Sequence, residues 1–245
     1  MLSPGVAQDG GRRMTRWMAA AALLAVLPAC EVSVGSLDND SGNSSGEIVG
    51  TAAPATARFV NSRENARSPG LERNYVDFSF DYPAHWAITP QPTDGSASNY
   101  VRVAAPLIDG YEPFAFHVGH AYGTGNAESD RRDLDQALPQ IAQQFGASLQ
   151  NYQITALGRG RVGSYDSWNW RFSATAPGIS GGAPAQVYGR GDVILPPGAT
   201  RGVLLLTLAT SRTNEVASPA DVGEAGTMKA VFDSFRLGPS GEAAK

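Results

Sequence analysis

The stretch Phe78-Ser79-Phe80-Asp81-Tyr82-Pro83-Ala84-His85-Trp86 decides how the chain is read. In VDFSFDY, the residues Val76, Phe78, Phe80 and Tyr82 fall on one side of a period-two pattern. Asp77, Ser79 and Asp81 fall on the other. That alternation, rich in aromatic residues, predicts a half-buried β-strand. Pro83 has no backbone N–H to give to a sheet ladder, so pairing is expected to stop there. Trp86 then folds back as a core plug, and His85 beside it is read as exposed or locally bonded, not catalytic.

Strand signals continue downstream at Tyr100–Val103 and Pro113–Tyr122. From Asp133 to Leu149 the period changes. Leu134, Leu138, Ile141, Phe145 and Leu149 recur at steps of four and three, which predicts an amphipathic helix capped by Asp133 and bent at Pro139. Further strands are predicted at Tyr152–Leu157, Asp166–Phe172, Ala185–Leu195 and Gly202–Thr210. The last is apolar on both faces and should be central and covered. A second helix is expected from Ser218-Pro219 to about Phe235, weakened by Gly223 and Gly226. The order β-β-β-α-β-β-β-β-α predicts an α+β fold on a largely antiparallel sheet.

These residues resemble the PsbP-like domain family. In that family an aromatic strand runs into a Tyr-Pro pair and a tryptophan, and the last helix closes on a Ser-Phe pair, here Phe232-Asp233-Ser234-Phe235. The resemblance covers roughly residues 75–237. It implies an α/β/α sandwich and binding to a larger partner without catalysis. Extrinsic subunits of the photosynthetic oxygen-evolving complex, a nuclear transport factor that binds a small GTPase, and bacterial lipoproteins share the fold. No functional residue of the family has a match to carry over.

The N-terminus carries separate information. Arg12, Arg13 and Arg16 precede the apolar run Trp17–Pro28, which is too short to span a bilayer and has the layout of a secretory signal. Leu27-Pro28-Ala29-Cys30 resembles the lipobox of bacterial lipoproteins. The resemblance implies that Cys30, the single cysteine, is diacylated and becomes the first residue after cleavage. The expected organisation is a signal peptide over 1–29, a flexible tether over 30–73, the PsbP-like domain over 74–238 and a disordered tail over 239–245. The tether is rich in Ser, Gly, Asn and Asp and reaches roughly 35 Å. Phe59 and Val60, late in it, are expected to dock on the domain. A domain so tied faces the periplasm or the exterior of a bacterial envelope.

Removing residues 1–29 takes away three arginines and Asp9 and moves the formal charge from −4 to −6. That balance, with no basic run, argues against nucleic acid. Gly178-Ile179-Ser180-Gly181-Gly182 looks like a protease serine loop but has isoleucine where that family has aspartate. It reads as a glycine-rich hairpin loop. His117-x-x-His120 falls on a predicted strand, where residues three apart face opposite ways and do not chelate together. The expectation is a non-catalytic protein without metal or cofactor that binds a protein partner. The alternative is a small-ligand pocket between sheet and helix, lined by Trp168, Trp170 or Tyr188.

Overall fold

The computed structural model describes residues 55–63, 74–90, 99–178 and 183–238. The signal peptide, Cys30, most of the tether, Ser180 and the C-terminal tail lie outside the described residues. In chain order the elements are β1 (Thr56–Asn61), β2 (Phe78–Pro83), β3 (Ala87–Pro90), β4 (Asn99–Ala104), β5 (Phe114–Tyr122), α1 (Ala127–Gly146), β6 (Gln150–Val162), β7 (Tyr165–Ala176), β8 (Ala185–Ile194), β9 (Arg201–Thr210), α2 (Gly226–Ser234) and β10 (Arg236–Leu237). Every strand pairing is antiparallel. Seven strands form one sheet in the order β3-β4-β5-β9-β8-β7-β6, and β1-β2-β10 form a second. The fold is α+β, as the pattern predicts.

The two faces of the large sheet carry separate cores. On one face α1 packs against β6 and β7, over Trp168, Trp170 and Phe172. On the other lie α2 and the small sheet, joined through rings: Phe80 of β2 meets Phe116 of β5 at 5.0 Å, and Phe116 meets Phe232 of α2 at 5.8 Å. The middle strand β9 feeds both cores, with Val203 and Leu205 on one side and Leu206 on the other. This is why its sequence is apolar throughout.

Three features of the molecule differ from the predicted pattern. Helix α1 begins six residues before Asp133, and its cap is Asn126, whose Oδ1 accepts the Ser129 amide at 2.9 Å. Its first two turns are polar, so apolar spacing could not reveal them. Asp130, buried there, accepts the Thr124 amide at 2.7 Å and anchors the preceding loop. The second helix is two pieces, a 3-10 turn at Pro219–Asp221 and then α2, with the break at Val222–Ala225. Finally, the folded part starts earlier than residue 74. Thr56–Asn61 is a strand in full register with β2, which places Phe59 against Phe78 and Phe80 at 5.7 and 5.5 Å, where its docking was expected.

Ser167, Asn169 and Arg171, on the polar face of β7, are all engaged. Ser167 and Asn169 donate to Asp192 at 2.8 and 3.0 Å, and Arg190 donates to the same carboxylate at 2.7 Å. Asp192 and Arg190 are 0% and 4% exposed. Arg190 also reaches Glu224 at 2.9 Å. Arg171 donates to the carbonyls of Pro219, Ala220 and Val222 at the end of a helical turn. This network fixes the segment leading into α2 onto the sheet.

Candidate functional site

Both ends of the family-like signature meet at one place. Trp86 is buried and stacks on Phe114 at 5.9 Å, so it is the plug the sequence predicts. Its amide donates to Pro83 O at 2.9 Å, closing the turn. Ser234, at the end of α2, accepts the Asp81 amide at 2.8 Å and donates to Val231 O at 2.8 Å. Phe235 stacks on Phe78 at 5.9 Å. The Ser-Phe ending is therefore the joint that holds α2 against β2.

Beside this joint is a groove of about 740 Å³. One wall is the β2 end from Asp81 to Trp86. A second is α2, through Thr227, Ala230 and Val231. The Ala105–Ile108 stretch and the Arg212–Glu215 loop complete it. Its lip carries Leu107 and Ile108, which are 61% and 47% exposed. They precede a two-residue hairpin in which Ile108 and Tyr111 exchange backbone hydrogen bonds of 2.8 and 3.0 Å. Asp109 and Gly110 turn it at φ 51° and 82°, the left-handed pair that such a turn requires.

The charged groups around the groove are mostly engaged. Asp81 holds Arg58 at 2.7 Å, and that hydrogen bond raises the Arg58 pKa. Glu215 accepts the Thr227 amide at 2.6 Å and its hydroxyl at 2.9 Å, capping α2. Arg212 lies over the Tyr111 ring at 5.2 Å. Tyr111 Oη is 3.0 Å from both Pro177 O and Ala183 O, tying together the two ends of the glycine-rich loop. A site with an apolar lining and occupied carboxylates is suited to binding.

His85 stands exposed on the groove wall. His117 and His120 point to opposite faces of β5, as the strand reading requires. Among the described residues no group of three or more His, Cys, Asp or Glu is placed to hold a metal. No described helix is long and apolar enough to cross a membrane.

The ligand-pocket aromatics do not converge. Trp168 and Trp170 lie in the core under α1. Arg159 covers the Trp168 ring at 4.0 Å, and the Trp168 indole donates to Asp135 at 3.0 Å. Tyr188 packs on the opposite core. Their side chains fill the two cores and line no common cavity, because Trp168 and Trp170 project from one face of the sheet and Tyr188 from the other. The groove residues Leu107 and Ile108 were not singled out in the sequence. The available signal is Asp109-Gly110, a two-residue hairpin turn, directly after this apolar pair.

His120 is expected to make the fold acid-sensitive. It is 3% exposed and neither ring nitrogen has a hydrogen-bond partner among the described residues. Tyr122 lies at 4.0 Å and Tyr100 at 6.1 Å. Burial, then the charge of Arg201, pushes its pKa down to about 4. For His117, burial and then Arg102 push it down to about 3. The unfolded chain therefore binds protons that the native state refuses, so stability is full above about pH 6.5 and is lost as pH falls below that. The urea midpoint is expected to drop between about pH 7 and pH 4, and His120→Phe should make the drop smaller. An unchanged pH profile in His120→Phe would place the acid sensitivity elsewhere.

No protein-family model matches the chain, and no curated protein matches it in sequence. Solved structures do. A crystal structure from Bacteroides thetaiotaomicron VPI-5482 matches with a TM-score of 0.42 and 14% identity over 76% of this chain; the match spans 49% of that protein, about half its length. LpqN, involved in cell envelope biogenesis of Mycobacterium tuberculosis, matches with a TM-score of 0.43 and 14% identity over 75% of this chain and 92% of its own. The chain is also similar to cyanobacterial PsbP (CyanoP) from Synechocystis sp. PCC 6803, whose family the Phe78–Trp86 stretch resembles, with a TM-score of 0.41 and 11% identity over 78% of this chain and 98% of that one.

Proposed function

We propose that this chain is a non-catalytic protein of the bacterial envelope, anchored to a membrane through lipidated Cys30, whose domain binds a protein partner in the groove beside Trp86. The carrying observation is the exposed Leu107–Ile108 lip on a groove whose carboxylates Asp81 and Glu215 are spent on Arg58 and on α2. Large exposed apolar side chains beside a concave surface mark interaction sites. The signal-like N-terminus supports export, and the lipobox-like Leu27–Cys30 supports the anchor. A second reading, a small apolar ligand in the same groove, is favoured by its volume of about 740 Å³, which lies in the range of small-molecule sites.

The test is cross-linking in intact cells followed by capture on a C-terminal tag, with Leu107→Asp and Cys30→Ser variants in parallel. Leu107 is largely exposed, so its change should leave folding intact. One stoichiometric partner is expected, reduced about tenfold or more by Leu107→Asp, because a charge in a desolvated contact is costly. It should also be lost from the membrane fraction with Cys30→Ser. Equal capture by Leu107→Asp would remove the groove from the reading. A thermal shift on adding a small apolar ligand, with no partner captured, would favour the second.

A further inference from the structure

Leu107 and Ile108 line the groove and yet stay 61% and 47% exposed, so much of their apolar surface is left uncovered. The next residue, Asp109, has a side chain that is 72% exposed. The left-handed turn at Asp109-Gly110 and the hydrogen bonds between Ile108 and Tyr111 fix this tip. It therefore presents two apolar side chains and a carboxylate in one set arrangement, which lowers the entropy cost of docking.

The groove offers the matching set. Its walls include the apolar side chains of Trp86, Phe114 and Val231, and Arg212 is the one arginine or lysine among its described lining residues. Asp109 of the same molecule stands 3.9 Å from Arg212, beyond hydrogen-bond distance. Arg212 Nε has no hydrogen-bond partner among the described residues, and the guanidinium is held over the Tyr111 ring at 5.2 Å. The acids of the lining, Asp81 and Glu215, are engaged by Arg58 and Thr227. The groove thus combines apolar walls with a cation short of a close carboxylate. The tip combines apolar side chains with a carboxylate short of a close cation. Each molecule carries both halves side by side. A two-fold axis beside the hairpin brings each tip to the other molecule's groove in one step, which is the self-complementary arrangement of an isologous dimer.

We propose that the occupant of the groove is a second copy of this chain, docked about a two-fold axis, with Leu107 and Ile108 of each copy on the apolar walls of the other and Asp109 of each against Arg212 of the other. This rests on the groove being the partner site and names its occupant.

The test is sedimentation of the full chain carrying Cys30→Ser, which removes the lipid that would itself gather copies. A concentration-dependent dimer is expected. Leu107→Asp should raise its dissociation constant about tenfold or more. Asp109→Lys alone and Arg212→Glu alone should each raise it about tenfold, because each sets like charges against one another at both contacts. An equal mixture of the Asp109→Lys and Arg212→Glu chains should form dimers within about threefold of the unaltered affinity. Within each of those chains the 109–212 pair carries like charges, so the recovery comes only from contacts between copies, and only if both chains fold.

A chain that sediments as a monomer up to about 1 mM overturns the proposal. So does a dimer that is indifferent to Leu107→Asp, or a mixture that associates no better than its components. If the chain is monomeric while Leu107→Asp still reduces capture of a different protein in cells, the second copy fails and the partner site stands. If Leu107→Asp changes neither the dimer nor the capture, the partner site itself fails.

Discussion

Replacing Asp192 with alanine is expected to destabilise the full chain by about 3–5 kcal/mol, because it takes away the buried counter-charge of a buried arginine and leaves it only the exposed Glu224. Four donors converge on this carboxylate: Ser167 Oγ, Asn169 Nδ2 and the Nε and Nη2 of Arg190, at 2.7–3.2 Å. Each loses this acceptor at once in a site closed to water, and what remains is Gly191 O for Asn169 and Arg161 O with Glu224 for Arg190. Glu224 also pairs with Arg190 and Arg171, but its side chain is 57% exposed. Water can take its place there, and Glu224→Ala should cost about 1 kcal/mol or less. Urea unfolding of the two variants under one condition reads the contrast. Equal losses, or a loss below about 1 kcal/mol for Asp192→Ala, would mean that Arg190 finds other partners and that the network does not depend on Asp192.

The same network shows what the sequence could and could not reveal. The alternation in VDFSFDY and DSWNWRF names the right side chains for each face, and the apolar run of β9 names a strand covered twice. These signals survive because burial acts on each residue separately. The polar face of β7 is different: Ser167 and Asn169 meet Asp192 of β8, and Arg171 meets the Pro219–Val222 carbonyls that arrive from far along the chain. Arg190 and Asp192 sit two apart on one strand face, a spacing that fits a surface ion pair equally well. Long-range covering of that kind leaves no local period. The start of α1 was hidden for a related reason: its first turns face water and are held by the Asn126 cap and by Asp130, not by an apolar stripe. At the groove, Trp86 is legible as a plug, because an aromatic residue beside a strand break is expected to close a core. That Leu107 and Ile108 stay exposed was not legible, since an apolar pair in sequence is neutral about its own burial.

Gly191 offers the second large effect, and it tests the core that the aromatic pattern predicts. Gly191 pairs with Trp170 across β7 and β8, and a Cβ placed on it would meet the indole at 2.0 Å, well inside contact distance. Trp170 is wholly buried and pressed from the other side by Phe145 of α1, whose ring lies 5.2 Å away. The indole has no room to yield, and its strand is held on both edges. Gly189 repeats the arrangement against Phe172, again at 2.0 Å. The two glycines thus form a slot along β8 that lets α1 sit close to the sheet. Gly191→Ala is expected to cost about 1–3 kcal/mol by overpacking. Trp170→Ala, which leaves a cavity in the slot, should cost about 3–5 kcal/mol. If the slot is the cause, the two changes must couple: in the double variant the new methyl enters the space the indole has left, and the loss should fall below the sum of the single losses by about 1 kcal/mol or more. Urea unfolding of the four proteins in the cycle gives that difference. Strict additivity would show that Gly191 is needed for its backbone and not for the ring it accommodates.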